Sequence, residues 1–129
     1  SENARTHIGP YPFRISNTRV TEEDAAVRFL HPDDPVLHFP NQITQKDFEG
    51  WIQERGIYFA TQADSPYREL FSMHDKGEPD HEGSLIAADY GKGKFVYTGL
   101  VFFRELPAGV PGAYRLLANL IAQNQNENK

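Results

Sequence analysis

Side chains able to bind a ligand or a metal ion are concentrated in one polar segment, residues 73–83. Two imidazoles lie in it, and several carboxylates surround them, all of which can coordinate divalent cations or hydrogen-bond small molecules. The segment falls between two predicted strands, at a strand end, where open α/β sheets tend to bind ligands. Its spacing is irregular, so two interpretations stay open, an incidental solvated loop and a binding loop. For the binding loop the predicted ligand-binding residues are His74, Asp75 and His81.

A second group is the run His31-Pro32-Asp33-Asp34. It resembles the His-Pro-Asp-Asp-Glu signature of PIG-L/LmbE-type deacetylases, in which a His and an Asp bind zinc and the adjacent Asp acts as general base on the metal-bound water. Here position 35 is Pro instead of Glu, the run continues into a proline-rich loop, and no second ligand motif follows. We therefore predict no metal site at His31, Asp33 and Asp34, and local turn hydrogen bonds for the two carboxylates.

The remaining motifs give weaker indications of chemistry. Ser16, Ser65, Ser72 and Ser84 all lack the Gly-x-Ser-x-Gly elbow, and nothing in the sequence supports a Ser/His/Asp triad. The glycines around Lys92 join two predicted strands, whereas phosphate-binding loops join a strand to a helix. A sugar-stacking surface could be formed by four residues, but the position of Trp51 favours core packing. The four are Trp51, Glu54, Arg55 and Tyr58.

Composition narrows the classes of function. The 129 residues carry a formal net charge of −5, and the acidic residues are scattered, which argues against nucleic acid or an anionic membrane as the main partner. No apolar run reaches the length of a membrane span, and the polar N-terminus does not resemble a signal peptide. The absence of cysteine excludes disulfides, thiolate zinc sites and a cysteine nucleophile. The compartment stays open.

Two helices are predicted to flank the sheet. For residues 44–55, Thr44 is the expected N-cap, Ile43 and Phe48 form a hydrophobic staple, and Gly56 supplies a left-handed stop. Residues 111–122 begin at a proline, and their apolar set at 116, 117, 120 and 121 is expected to dock on the sheet, with Asn119 facing water. Residues 123–129 are expected to be a frayed tail.

The strands are predicted at residues 13–16, 25–30, 57–60 and 69–73, followed by an antiparallel hairpin over 85–100 with a three-residue Gly-Lys-Gly connection. The fold class is therefore α/β, one domain or domain fragment over residues 1–129, with a sheet of mixed direction. Seven residues are expected in the core: Phe48, Trp51, Phe59, Leu85, Val96, Leu116 and Leu120.

Longer strings carry a resemblance over nearly the whole chain. Trp51-Ile-Gln-Glu-Arg-Gly56 and Leu106-Pro-Ala-Gly-Val-Pro-Gly-Ala-Tyr-Arg115 resemble the C-terminal region of long bacterial PIG-L/LmbE-related proteins. In those proteins a deacetylase domain precedes a glutamine-amidotransferase-like domain of the ThuA-like type, and the hairpin followed by a terminal helix resembles the end of such a domain. The resemblance implies a zinc-dependent N-acetylglucosaminyl deacetylase as the parent protein, with its zinc motif upstream of this chain. It also implies export to the cell envelope.

The resemblance separates two hypotheses. The favoured one is an accessory or interaction domain without catalytic residues or cofactor, which packs on the deacetylase domain of the same polypeptide or helps hold glycan. Glutaminase chemistry is not expected, because the chain has no cysteine. The alternative is a small hydrolase that binds a divalent metal through His31, Asp33, Asp34 and one of the two imidazoles of residues 73–83.

Overall fold

The structure is a computed structural model that describes residues 5–6 and 9–125. Within these residues lie ten short strands, two 3₁₀ helices and two α-helices. In order they are β1 (Arg5–Thr6), β2 (Phe13–Ile15), β3 (Arg19–Val20), β4 (Arg28–Phe29), 3₁₀ helices at Pro35–Leu37 and Gln45–Phe48, β5 (Gly56–Ile57), β6 (Ala60–Thr61), β7 (Arg68–Glu69), β8 (Phe71–Ser72), β9 (Leu85–Tyr90), β10 (Gly93–Thr98), α1 (Phe102–Glu105) and α2 (Pro111–Gln125).

The α/β class and the C-terminal antiparallel hairpin are confirmed. The strands of the described residues form four small sheets, in the orders β1-β2-β6, β10-β9-β7, β3-β5 and β4-β8. Every strand pair in the described part of the chain is antiparallel, so these residues do not build the single mixed-direction sheet that we expected. Most strands are only two residues long because turns and left-handed residues interrupt the predicted ones. Tyr58, with φ of 63°, splits the predicted strand at 57–60 into β5 and β6.

The β9–β10 hairpin separates two hydrophobic clusters. Successive side chains of a strand point to opposite faces, and in β9 Leu85 and Ala87 belong to the larger cluster while Ile86 and Ala88 belong to the smaller one. Tyr90 pairs with Gly93, so the connection has two residues instead of the predicted three. Its first residue, Gly91, has φ of 60°, as type II′ hairpin turns require.

The predicted helix at residues 44–55 ends after one turn. Its start is confirmed, since Thr44 accepts a hydrogen bond from the Lys46 amide and Asp47 accepts one from the Thr44 amide. The chain leaves the helix at Glu49, whose backbone is extended, and turns at Gly50, whose φ is 76°. The predicted stop at Gly56 is wrong because Gly56 lies in β5. In a longer helix, later backbone amides would donate to the carbonyls of this turn. Here two side chains donate to them instead. The Trp51 indole donates to the Asp47 carbonyl, and Arg55 donates to the Phe48 carbonyl.

Helix α2 is confirmed and extends to Gln125, so it includes the first three residues of the expected tail. Residues 126–129 lie outside the described residues. The expectation that Asn119 faces water is wrong, because Asn119 is fully buried. Its amide group donates to the carbonyls of Val36 and Asn41 and accepts from the Asn41 amide, at 2.7–2.8 Å. The loop at residues 36–41 therefore covers a helix face that the sequence pattern marked as exposed.

The predicted core forms around α2 and the hairpin. Six of the seven expected residues are buried, and Val96 is half-buried against the larger cluster. Ile121, expected to dock on the sheet, is instead 50% exposed. Neither helix of the described chain combines the length and the apolar character needed to cross a bilayer.

Candidate binding site

Residues 73–83 form a loop closed at its neck. Met73 and His81 exchange both backbone hydrogen bonds, at 3.1 and 2.8 Å. Just beyond this pair, the His74 imidazole lies against Asp80, with Nδ1 and Oδ1 2.7 Å apart. A turn in which the Glu78 amide donates to the Asp75 carbonyl closes the tip. The predicted binding segment is thus a defined hairpin-like loop, and it directs its three predicted ligand-binding side chains to different places.

Asp75 faces the backbone of a neighbouring segment. It is buried, and its carboxylate accepts hydrogen bonds from the Thr21 amide, the Thr21 hydroxyl and the Glu22 amide, at 2.7–2.9 Å. Burial opposes ionisation, but these hydrogen bonds outweigh it and hold the pKa of Asp75 below its ordinary value. Asp75 therefore fixes the loop to residues 21–22, and both of its oxygens are occupied.

His81 lines a small cavity of about 220 Å³. Its ring meets Phe59 edge-on, with 6.4 Å between ring centroids. The carboxyl groups of Glu69 and Glu82 line the same cavity, and burial, with the charge of Glu82, raises the pKa of Glu69. His81 and His74 thus line separate cavities, although Asp80 lies on the wall between them and lines both.

His74 lines a larger cavity, of about 530 Å³, which we call the His74 cavity. The wall includes Ser72, which precedes His74 by two positions. In extended backbone this spacing places the two side chains on the same side of the chain. Ser72 is 2% exposed, and its Oγ has no hydrogen-bond partner among the described residues. The full lining is Ala26, Val27, Arg28, Phe29, Gln45, Ser72, His74 and Asp80.

His74 was among the predicted ligand-binding residues, whereas Ser72, Asp80 and Gln45 were not. The two-residue spacing of Ser72 and His74, at the end of the strand predicted at 69–73, was a usable signal, because in extended backbone it places both side chains on one face. Asp80 could not be singled out among the carboxylates of the loop without its pairing to His74. Gln45 comes from a distant segment, where its amide nitrogen donates to the Val27 carbonyl at 2.8 Å.

A neighbouring cavity of about 490 Å³ is built around a buried arginine. Arg55 donates to the carbonyls of Ala25 and Phe48, and its guanidinium lies over the Phe48 and Trp51 rings at 5.6 and 5.9 Å. Burial lowers the pKa of Arg55, and the nearby charge of Asp24 partly offsets this. Trp51 is 3% exposed, so it packs in the core, as the sequence favoured, and does not offer an open stacking surface.

The run His31–Asp34 forms a turn that is joined to Arg68 of β7. The Asp34 amide donates to the His31 carbonyl at 3.0 Å, and the buried Asp34 carboxylate accepts from the Val36 amide and from Arg68 Nε. Asp34 thus makes the local hydrogen bond that we predicted, while His31 and Asp33 are exposed. Within residues 5–6 and 9–125, no three His, Asp or Glu side chains are grouped closely enough to hold a metal ion.

Comparison with known proteins returned no matching family model, no matching curated protein and no matching solved structure.

Proposed function

We propose that this chain is a non-catalytic accessory domain of a PIG-L/LmbE-related N-acetylglucosaminyl deacetylase-like protein. In this proposal it has an amidotransferase-like fold of the ThuA-like type and packs against the deacetylase domain of the same polypeptide. The strings at residues 51–56 and 106–115 supply the family resemblance. The observation that carries the packing role is a set of exposed apolar side chains around α1, which we call the Phe103 face.

The Phe103 face consists of Ile52, Phe103 and Tyr114, which are 37%, 65% and 52% exposed. Hydrogen bonds connect the segments that carry them. The Ile52 amide donates to the buried Glu105 carboxylate at 2.7 Å, and the Tyr114 hydroxyl donates to the Leu106 carbonyl at 2.7 Å. Contiguous exposed apolar side chains are typical of protein interaction sites, and we infer that these three form one patch.

Arg104 adds a polar rim to this face. Its guanidinium lies 5.1 Å from the centroid of the Phe103 ring, its Nη1 donates to the Gln53 side chain, and its Nε lies 3.3 Å from Glu54. Aromatic residues and arginine are enriched in protein interfaces and carry much of their binding energy. A domain tethered in the same polypeptide is the occupant that we infer, since tethering makes even a modest face effective.

Two further observations support a non-catalytic role. The carboxylates of Asp34 and Asp75 are buried and used by internal hydrogen bonds, to Val36 and Arg68 in one case and to Thr21 and Glu22 in the other. A carboxylate engaged in this way stabilises the fold and is not free to act as a ligand or base without breaking those bonds.

Hydroxyl-radical footprinting of the intact natural polypeptide and of this chain alone tests the packing. We expect Phe103 and Tyr114 to be modified in the isolated chain and protected in the intact polypeptide. Tyr90, 63% exposed at the hairpin turn, is the matched control and should be modified equally in both. Equal modification of Phe103 in the two samples would contradict the packing role.

A further inference from the structure

The His74 cavity combines an apolar wall with a few polar groups, the combination typical of small-molecule sites. Val27 and Phe29 contribute apolar surface, and the polar groups come from three separate segments of the chain. Its volume of about 530 Å³ lies within the range of roughly 300–1,000 Å³ found for ligand pockets.

Ser72 is the polar group that most needs a partner. A buried hydroxyl without a hydrogen bond destabilises the fold, and the Ser72 Oγ has no such bond among the described residues. A hydroxyl can both donate and accept. A ligand hydroxyl that reaches this buried Oγ from the cavity would satisfy it, whereas an apolar ligand would leave it unpaired.

The His74–Asp80 pair supplies further hydrogen-bonding groups in a fixed orientation. Because Nδ1 faces Asp80, Nε2 is the ring nitrogen that is left for a ligand. Gln45 is oriented in the same way, since its amide nitrogen donates to the Val27 carbonyl. Such side chains are positioned before a ligand arrives, which reduces the entropy lost on binding.

Charge on the wall indicates the class of ligand. Arg28 and Asp80 carry opposite charges and both line the cavity, so neither an anion nor a cation is favoured overall. Mixed donors and acceptors beside apolar surface match a sugar ring, which presents hydroxyls at its edge and C–H groups on its face. We propose that the His74 cavity binds one residue of a neutral saccharide, with Ser72, His74 and Asp80 as its hydrogen-bonding residues.

NMR titration of the chain with glucose, N-acetylglucosamine and glucuronate tests the site. We expect the neutral sugars to shift the His74 ring and the Val27 methyl signals saturably, with a Kd of about 1 mM, the affinity of a site that gains roughly 4 kcal/mol. Glucuronate should bind more weakly. Absence of a saturable shift with either neutral sugar would overturn the proposal, as would preferential binding of glucuronate.

Matched variants locate the binding. Ser72→Ala should weaken the neutral sugar about tenfold, the effect of one lost hydrogen bond of ordinary strength. Ser84→Ala is the control, because Ser84 is also buried with an unpartnered Oγ among the described residues but does not line the cavity. Equal affinities of the two variants would overturn the assignment.

If Ser72→Ala does not fold, a second pair of variants, Asp80→Asn and His81→Gln, tests the site. Asp80→Asn changes a side chain that is 47% exposed, so the fold should survive while binding weakens. His81→Gln alters the other cavity and should leave sugar affinity unchanged. Unaltered affinity in Asp80→Asn would count against the site. This site does not depend on the Phe103 face, so failure of one proposal leaves the other intact.

Discussion

Gly112 in the first turn of α2 lies directly against the carbonyl of Asp47. A Cβ at position 112 would lie 1.7 Å from the Asp47 oxygen, far inside van der Waals contact. One turn later, Arg115 Nε pairs with the Asp47 carboxylate at 2.7 Å. Asp47 is therefore the point at which the 3₁₀ helix Gln45–Phe48 and α2 are joined.

Gly112→Ala should destabilise the chain by about 3 kcal/mol or more, because backbone must move to admit the methyl group. Gly109→Ala is the control, since nothing lies within 4 Å of its Cβ position and only its φ of 75° opposes the change. That strain costs roughly 1–2 kcal/mol. Urea unfolding of both variants measures the difference, and similar losses would show that α2 does not pack this closely.

Leu120→Ala should cost roughly 2–5 kcal/mol, the range for truncating a buried leucine, and Trp51→Ala should cost a comparable amount. Leu120 is 5% exposed, whereas its neighbour Ile121 is 50% exposed. Ile121→Ala should therefore change the free energy of unfolding much less. Denaturant titration compares the variants, and an equal effect of the two helix substitutions would contradict the orientation of α2.

Asp75 makes stability depend on pH on the acid side. Because its pKa is lowered in the folded state, its contribution is present above the unfolded pKa and is lost as pH falls through the folded pKa. Asp75→Asn should reduce stability at neutral pH by about 1–3 kcal/mol and flatten the acid limb. Thermal unfolding across pH measures this, and an unchanged acid limb would show that Asp75 is not the responsible group.

Glu105 makes stability depend on pH with the opposite sign to Asp75. It is fully buried, burial raises its pKa, and its Oε2 has no hydrogen-bond partner among the described residues. Its contribution is present below the unfolded pKa and is lost as pH rises through the folded pKa. Glu105→Gln should remove this loss of stability at high pH, because Gln does not ionise and still offers an acceptor for the Ile52 amide. If the variant instead loses stability relative to the parent chain as pH rises, the assignment to Glu105 is wrong.

The isolated chain should not deacetylate N-acetylglucosamine derivatives. Its His31–Asp34 run lacks the glutamate of the deacetylase signature, and Asp34 is engaged by Val36 and Arg68. Turnover assays and metal analysis of the purified chain test this. Zinc-dependent turnover that disappears in His31→Ala or Asp33→Asn would favour the hydrolase hypothesis over the accessory domain.

Local signals predicted the starts of elements better than their ends. The N-cap at Thr44 and the helix start at Pro111 depend on neighbouring residues, so the sequence shows them. The short 3₁₀ helix ends where it does because Trp51 and Arg55 reach back to its carbonyls, and Asn119 is buried because a distant loop covers it. The hydrogen bond from Asn119 to the Val36 carbonyl joins residues 83 positions apart, a contact that no local pattern encodes.

In the candidate site, too, the local sequence predicts which residues are present but not which contacts they make. The predicted loop contains His74 and Asp80, but whether an imidazole faces a cavity or another segment depends on the closure at Met73 and His81. Asp75 lies in the same loop and was also predicted to bind a ligand, but its carboxylate accepts a hydrogen bond from the Thr21 amide. Gln45 entered the site from a segment about thirty residues away.

Several backbone amides in this fold are held by side chains and not by neighbouring strands. The amides of Thr21, Ile52 and Asn41 donate to Asp75, Glu105 and Asn119 respectively. Slow hydrogen exchange should therefore occur at isolated positions in loops, where a map of secondary structure would place fast exchange. Two of the three acceptors ionise, so exchange at Thr21 and Ile52 should respond to the protonation of a side chain distant in sequence, beyond the intrinsic effect of pH.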